Sequence, residues 1–352
     1  MKAHQRAAGR LPFLRQDAVW SWGAEALENA VERLQGLPAP LLLVGEAGLL
    51  ATHRKRLSQA WLEAGLEVTL ADFGSDSECC QAELDRLLRL ATEKKAGTLV
   101  GFGGGKCLDM VKWAGLKSGL PVVTLPTSAA TAAAATSVVV VHDAQGAVLE
   151  LVDLPAPPRL CIGDLEFLKS APPRLLAAGA GDTLAKWLEW AAVEAEPEGA
   201  ESAIAAFECL KAGPDCGQES AFNACLRLSA DASNRGLAPA AAAHSFCAGV
   251  SVLPQSRAWL HGEWAGLGLL LQAWLFEDAG LSAPGGLGLK ELAGILSLWE
   301  LPVRIPWTLS ESECDQVASR MLAPGETVHA LEFASSLSPE TIVKGLKALQ
   351  NQ

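Results

Sequence analysis

The chain has 352 residues, 50% of them apolar and 19% charged, with a formal net charge of −12. That length exceeds one typical hydrophobic core, so two domains are expected. The acidic balance excludes nucleic acid or an anionic membrane as partner, because both require a basic surface.

The N-terminal stretch MKAHQRAAGRLPFLRQDAVW lacks the continuous apolar core of a signal peptide. LLLVG (Leu41–Gly45) predicts a buried strand, about Ala47 to Gly65 a helix, and EVTLADF a second strand. QAELDRLLRLATEKK has helical spacing; TLVGFGGG, CLDMVKWAGLKSG and PVVTLPTS then read as strand, helix and strand. Such alternation argues for a parallel, doubly wound sheet. TSVVVVHDAQGAVLELVDL reads as a hairpin turning at Asp143–Gly146, and LCIGD as a last short strand. From APPRLLAAGAGDTLAKWLEWAAVEA onward helical patterns dominate. Residues 1–164 are therefore expected to form an α/β domain and 165–352 a helical one. Gly119–Val141 is uncharged, but its two prolines and many small polar residues do not suit a membrane span. WAGLGLLLQAWLF is too short to span and reads as a buried helix. Nine cysteines with no C-x-x-C pair read as reduced thiols. The expectation is a soluble, cytoplasmic protein.

GFGGGKCLD (Gly101–Asp109) stands between a strand and a helix. It is either a tight turn without a ligand or a place where backbone N–H groups and a helix N-terminus hold a phosphate. It is neither a P-loop nor the G-x-G-x-x-G fingerprint, since Cys107 and Lys106 occupy decisive positions. Glu46, after the first strand, suits either a ribose hydroxyl or solvent. His244 and His261 are two of only six histidines, and they lie in an apolar, alanine-rich segment. Their spacing and Pro254 put them on separate segments. They are either satisfied core imidazoles or, with a carboxylate, a Zn²⁺ or Fe²⁺ site open to substrate. Asp182, in the apolar frame AAGAGDTLAKW, is the carboxylate to consider, because an unpaired charge there is costly.

The motifs GFGGGKCLDMVK, LPTSAAT, APPRLLAAGAGDTLAKW, AAAAHSFCAGVSVLP and LHGEWAGLG, in this order, resemble the iron-containing (group III) alcohol dehydrogenase superfamily. They are nearest its glycerol dehydrogenase branch, and GDTLAKW, SVLPQ and WLHGE lean toward its hydroxycarboxylate dehydrogenase relatives. The resemblance implies a Rossmann-like parallel-sheet domain that binds NAD(P), followed by an all-helical domain, the dehydroquinate synthase-like fold, with a divalent metal in the cleft between. It makes Asp182, His244 and His261 the metal ligands. Gly103, Gly104, Gly105, Lys106, Cys107, Leu108 and Asp109 would hold the pyrophosphate, and Thr127 and Ser128 would line the cofactor. Thr136 and Val138 would lie near the nicotinamide, with His142 in place of a usual tyrosine. Glu46 matches an acidic position that implies NAD over NADP. A homo-oligomer is also implied.

Three departures stand out. Ala132 occupies the place of the aspartate with which glycerol dehydrogenases contact the polyol, which favours a 2-hydroxy or 2-oxo acid over glycerol. Cys247 replaces a frequent second histidine. The stretch between Asp182 and His244 is about twenty residues shorter than usual by that resemblance. The expected activity is hydride transfer between NAD(H) and a small hydroxy acid or alcohol; the alternatives are glycerol dehydrogenase proper and a non-catalytic NAD-binding protein.

Overall fold

The computed structural model describes residues 17–74, 78–143, 146, 148–193, 201–234 and 240–350. Two compact units meet in the chain at Pro172 and Pro173. The short helix Leu165–Ser170 stays with the first unit, because Phe167 joins the core of its sheet.

The first unit is built on six parallel strands: β1 (Trp20–Gly23), β2 (Leu41–Glu46), β3 (Val68–Phe73), β4 (Thr98–Gly103), β5 (Val122–Pro126) and, after the hairpin, β8 (Leu160–Asp164). Their order is β1-β8-β5-β4-β2-β3. The central strands read as unbroken apolar runs because both faces are covered. Leu41 and Leu43 of β2 enter one core with Phe102 and Ile162, while Leu42 and Val44 enter the other with Met110 and Val111. The connecting helices include α1 (Ala47–Leu57), α2 (Gln81–Glu93) and α3 (Gly105–Ser118). The helix expected to Gly65 changes character at Ser58, where a π turn runs to Leu62.

The hairpin strands β6 (Val138–His142) and β7 (Val148–Asp153) form a separate antiparallel pair. Part of their turn lies outside the described residues. The pair is fastened to α3 by Lys112 and Asp109. The buried Lys112 ammonium donates to the carbonyls of Thr136 (3.1 Å) and Val138 (2.6 Å), and Asp109 accepts from the Val140 N–H (3.0 Å).

In the second unit, the described residues contain no strand. The longer helices are α4 (Pro173–Val193), α5 (Glu201–Lys211), α6 (Ala242–Val250), α7 (His261–Asp278), α8 (Leu289–Leu298), α9 (Glu311–Met321) and α10 (Pro339–Gln350). Fourteen of the eighteen residues of α7 are buried, so it is a central helix rather than an amphipathic one. Its neighbours approach at glycines. A Cβ on Gly262 would lie 1.7 Å from the Ala178 carbonyl oxygen of α4, and one on Gly181 would lie 2.3 Å from the Gly262 oxygen. Gly268 does the same against Ala243 of α6, at 2.6 Å. The buried Gln272 then ties the three helices, accepting from the Ala242 N–H (3.2 Å) and donating to the Leu188 carbonyl (3.3 Å).

Candidate metal centre

The glycine contacts decide which side chains meet. Asp182 follows Gly181 in the middle of α4, and His261 precedes Gly262 as the first residue of α7. His244 follows Ala243 on α6, against which Gly268 packs. The three side chains converge, with one donor atom of each lying within 4.8 Å of the others. Asp182 Oδ1 is 3.4 Å from Nε2 of His244 and 3.4 Å from Nε2 of His261. Asp182 is buried, His244 partly so, and the His261 side chain is 46% exposed, which leaves one side of the cluster open.

Two charged residues of α4 frame the cluster. Lys186, one turn after Asp182, holds its second oxygen, Oδ2, at 2.7 Å. Glu189, two turns after Asp182, is fully buried and reaches α6. Its Oε1 accepts the N–H groups of Ala241 (2.7 Å) and His244 (2.8 Å), and its Oε2 meets Nδ1 of His244. Burial alone would raise the Asp182 carboxyl, but Lys186 and the two imidazoles hold it well below the usual carboxylate range. Burial would likewise lower both histidines. Glu189 and Asp182 instead raise His244 to about 10, and Cys247 and Asp182 raise His261 to about 9. The buried Asp182 carboxylate thus faces two imidazoles at a point where positive charge is favoured, which a divalent ion would supply.

The donors fit such an ion. Carboxylate and imidazole bonds to zinc are about 2.0–2.2 Å, which places neighbouring ligand atoms of a tetrahedral site roughly 3.4 Å apart. A 3.4 Å separation is long for an N–H···O bond. Consistently, Asp182 Oδ1 is buried without a hydrogen-bond donor among the described residues. Leaving a buried oxygen unsatisfied is unfavourable unless another group occupies the place.

In the sheet unit Glu46 and the glycine turn lie at the C-terminal ends of the adjacent strands β2 and β4, Thr127 and Ser128 follow β5, and Thr136, Val138 and His142 belong to the hairpin or its approach. Glu46 ends β2 at the N-cap position of α1, and a Cβ on Gly103 would lie 3.9 Å from its Oε1. Gly104 is the N-cap of α3, so the N–H groups of Gly105, Lys106 and Cys107 occupy its first turn, where helices leave donors free. The side chains there point elsewhere. Lys106 pairs with Glu78, Cys107 is buried with Sγ 3.5 Å from the Val44 carbonyl, and Leu108 and Asp109 are also buried. Thr127 is buried and donates its N–H to the Gly103 carbonyl (3.1 Å), while Ser128 lies near Gly104. Thr136 and Val138 present their carbonyls to Lys112. His142 ends β6 with a buried Nδ1 that has no partner among the described residues; burial lowers its pKa, with Glu78 opposing.

Comparison with known proteins places this geometry. The sequence profile of iron-containing alcohol dehydrogenases matches residues 20–165. Glycerol dehydrogenase of Escherichia coli O6:H1 is 30% identical, with 87% of this chain and 88% of that protein covered. The chain belongs to the iron-containing alcohol dehydrogenase family. It is accordingly an oxidoreductase with the α/β fold of that family. Hydroxycarboxylate dehydrogenase A of Escherichia coli K12 is 28% identical, over 78% of this chain and 80% of that one. The crystal structure of a probable glycerol dehydrogenase from Sinorhizobium meliloti shares the fold, with a TM-score of 0.79 at 23% identity over 95% and 96% of the two chains.

In this family member, sequence reasoning did not single out Lys186 and Glu189. The signal was present, since Asp182, Lys186 and Glu189 recur at helical spacing in one apolar helix. The variant positions are also placed. Ala132 is buried at the start of a short 3₁₀ turn. Cys247 lies one turn after His244, with Sγ 4.0 Å from the His261 carbonyl. Among the described residues, no helix is long and apolar enough to cross a membrane.

Proposed function

We propose that this family member is an NAD-dependent, metal-dependent dehydrogenase of a small 2-hydroxy acid, working in reverse as a 2-oxo acid reductase. The observation that carries the reading is the convergence of Asp182, His244 and His261 on one point, with an orphaned carboxylate oxygen facing two imidazoles. A divalent zinc or iron ion held by these three would polarise the substrate hydroxyl or carbonyl oxygen, and NAD(H) would accept or donate the hydride. The chain's own residues do the positioning. Asp182, fixed by Lys186, and His244, fixed by Glu189, present one oxygen and one nitrogen to the same point. His261 completes the set from the exposed side.

On the cofactor side, the first-turn N–H groups of α3 suit a pyrophosphate. The Glu46 carboxylate suits ribose hydroxyls and repels a 2′-phosphate, which favours NAD over NADP. Ala132 supports an acid as substrate, since that position carries no carboxylate to repel one. The protein is also proposed to be cytoplasmic and homo-oligomeric, the latter readable by light scattering.

The test is metal content together with NADH oxidation over 2-oxo acids, dihydroxyacetone and simple aldehydes, before and after chelation. Chelator-sensitive turnover led by a 2-oxo acid supports the reading. Preference for dihydroxyacetone would return the chain to glycerol dehydrogenase proper, and absence of both metal and turnover would overturn the metal-centred reading.

A further inference from the structure

We propose that Glu189 is a positioning residue that fixes His244 as a metal ligand through Nε2, and so sets the affinity of the centre. The inference rests on the cation-site reading above and names a residue that is not itself one of the three ligands.

Glu189 is among the most enclosed charged groups in the helical unit, at 0% exposure. A carboxylate so placed is tolerated only when its oxygens are met by donors. Among the described residues, its donors come from one short segment. Oε1 takes the N–H groups of Ala241 and His244, at 2.7 and 2.8 Å, and thereby caps the start of α6 from another helix. Capping that end engages a single oxygen. The other, Oε2, is directed at the ring of His244, which it meets at Nδ1.

An ionised carboxylate only accepts hydrogen bonds. Nδ1 must therefore carry the proton, and in the neutral ring the lone pair is left on Nε2. Nε2 is the atom that lies 3.4 Å from Asp182 Oδ1, on the side of the cluster. Glu189 thus selects the tautomer, orients the ring and adds negative charge behind it, which makes Nε2 a better donor. The backbone bond to His244 holds the same residue at its N–H, so ring and main chain are referred to one rigid point on α4.

The informative variant is Glu189→Gln. Its amide oxygen can take over the two backbone N–H groups, which keeps the cap. Its NH₂ then faces Nδ1 and donates to it, driving the imidazole proton onto Nε2. The expected result is a melting temperature close to that of the wild type, with affinity for Zn²⁺, measured by competition with a chromophoric chelator, weaker by about ten- to a hundredfold. Unchanged Zn²⁺ affinity in a folded variant would reduce Glu189 to a helix cap and overturn the inference while leaving the cation site standing. A wild-type protein that takes up no Zn²⁺ would overturn the site reading, and the inference with it. A second measurement needs no variant. Long-range ¹H–¹⁵N spectra of the Zn²⁺-loaded wild type should show His244 protonated at Nδ1 and coordinated at Nε2. Coordination through Nδ1 would refute the assignment even if Glu189→Gln fails to fold.

Discussion

Gly103, Gly104 and Gly105 stand side by side in a turn of the sheet unit, whereas Gly181, Gly262 and Gly268 are dispersed along helices of the other. The protein itself demands the helical ones. Added Cβ atoms there would fall 2.3, 1.7 and 2.6 Å from backbone oxygens of neighbouring helices. Gly104 is different: its φ of −82° is open to any residue, and the nearest atom to an added Cβ is the Ser128 hydroxyl at 3.9 Å. Among the described residues nothing requires glycine at 104, which suits the close approach of a pyrophosphate proposed above. Gly262 makes helices touch; Gly104 leaves a surface bare.

That contrast is easiest to break at its most crowded point. Gly262→Ala should be the most damaging of these changes, destabilising the helical unit by roughly 3 kcal/mol or more, because neither backbone can retreat without separating α4 from α7. Urea unfolding and metal content would report it together. His261→Ala, which removes a half-exposed side chain, should lower metal-dependent turnover by more than about a hundredfold while shifting the stability of the metal-free protein by under about 1 kcal/mol. The centre should also answer to pH. His244, held near about 10, and His261, near about 9, must each release a proton to accept a cation. Metal affinity should therefore rise with pH up to about 10, by roughly a hundredfold per unit below about 9, where both are protonated, and roughly tenfold per unit between the two. Metal competition at a series of pH values would show the slope, and a flat profile would contradict it. Gly104→Ala should leave unfolding within about 1 kcal/mol of the wild type yet weaken NADH binding about tenfold, by crowding the N-terminus of α3. If binding is untouched, that reading of Gly104 fails. Smallest is Glu46→Ala, expected to narrow the preference for NADH over NADPH by only a few-fold, since one half-buried contact is lost.

The sheet was legible wherever burial on both faces produced an unbroken apolar run, as in Leu41–Gly45 and Thr98–Phe102. β1 was not, because WSWG is four residues long and pairs only with β8 at the edge. A charge in an Ala- and Gly-rich frame made Asp182 conspicuous, and scarcity did the same for the histidines. Glu189 and Lys186 shared helical spacing with Asp182, but that pattern named no partner. The meaning of Glu189 comes from bonds to residues 52 and 55 positions away, and no local pattern announces a partner at that distance. The meeting of the three side chains was likewise invisible in spacing, because it depends on where helices cross, and single glycines set the crossings.

Asp182, His244 and His261 are carried by three different helices, the first separated from the other two by a long stretch of chain. An ion shared among them is therefore a cross-link, comparable to a disulfide that closes a loop of about sixty residues in the unfolded chain. At an ion concentration a hundred times its dissociation constant it would add about 2.7 kcal/mol to the folded state. For a protein that must survive proteases, this makes the ion a determinant of lifetime as well as chemistry. Molecules stripped of metal would be cleared sooner, and the pool that persists would be enriched in the loaded form.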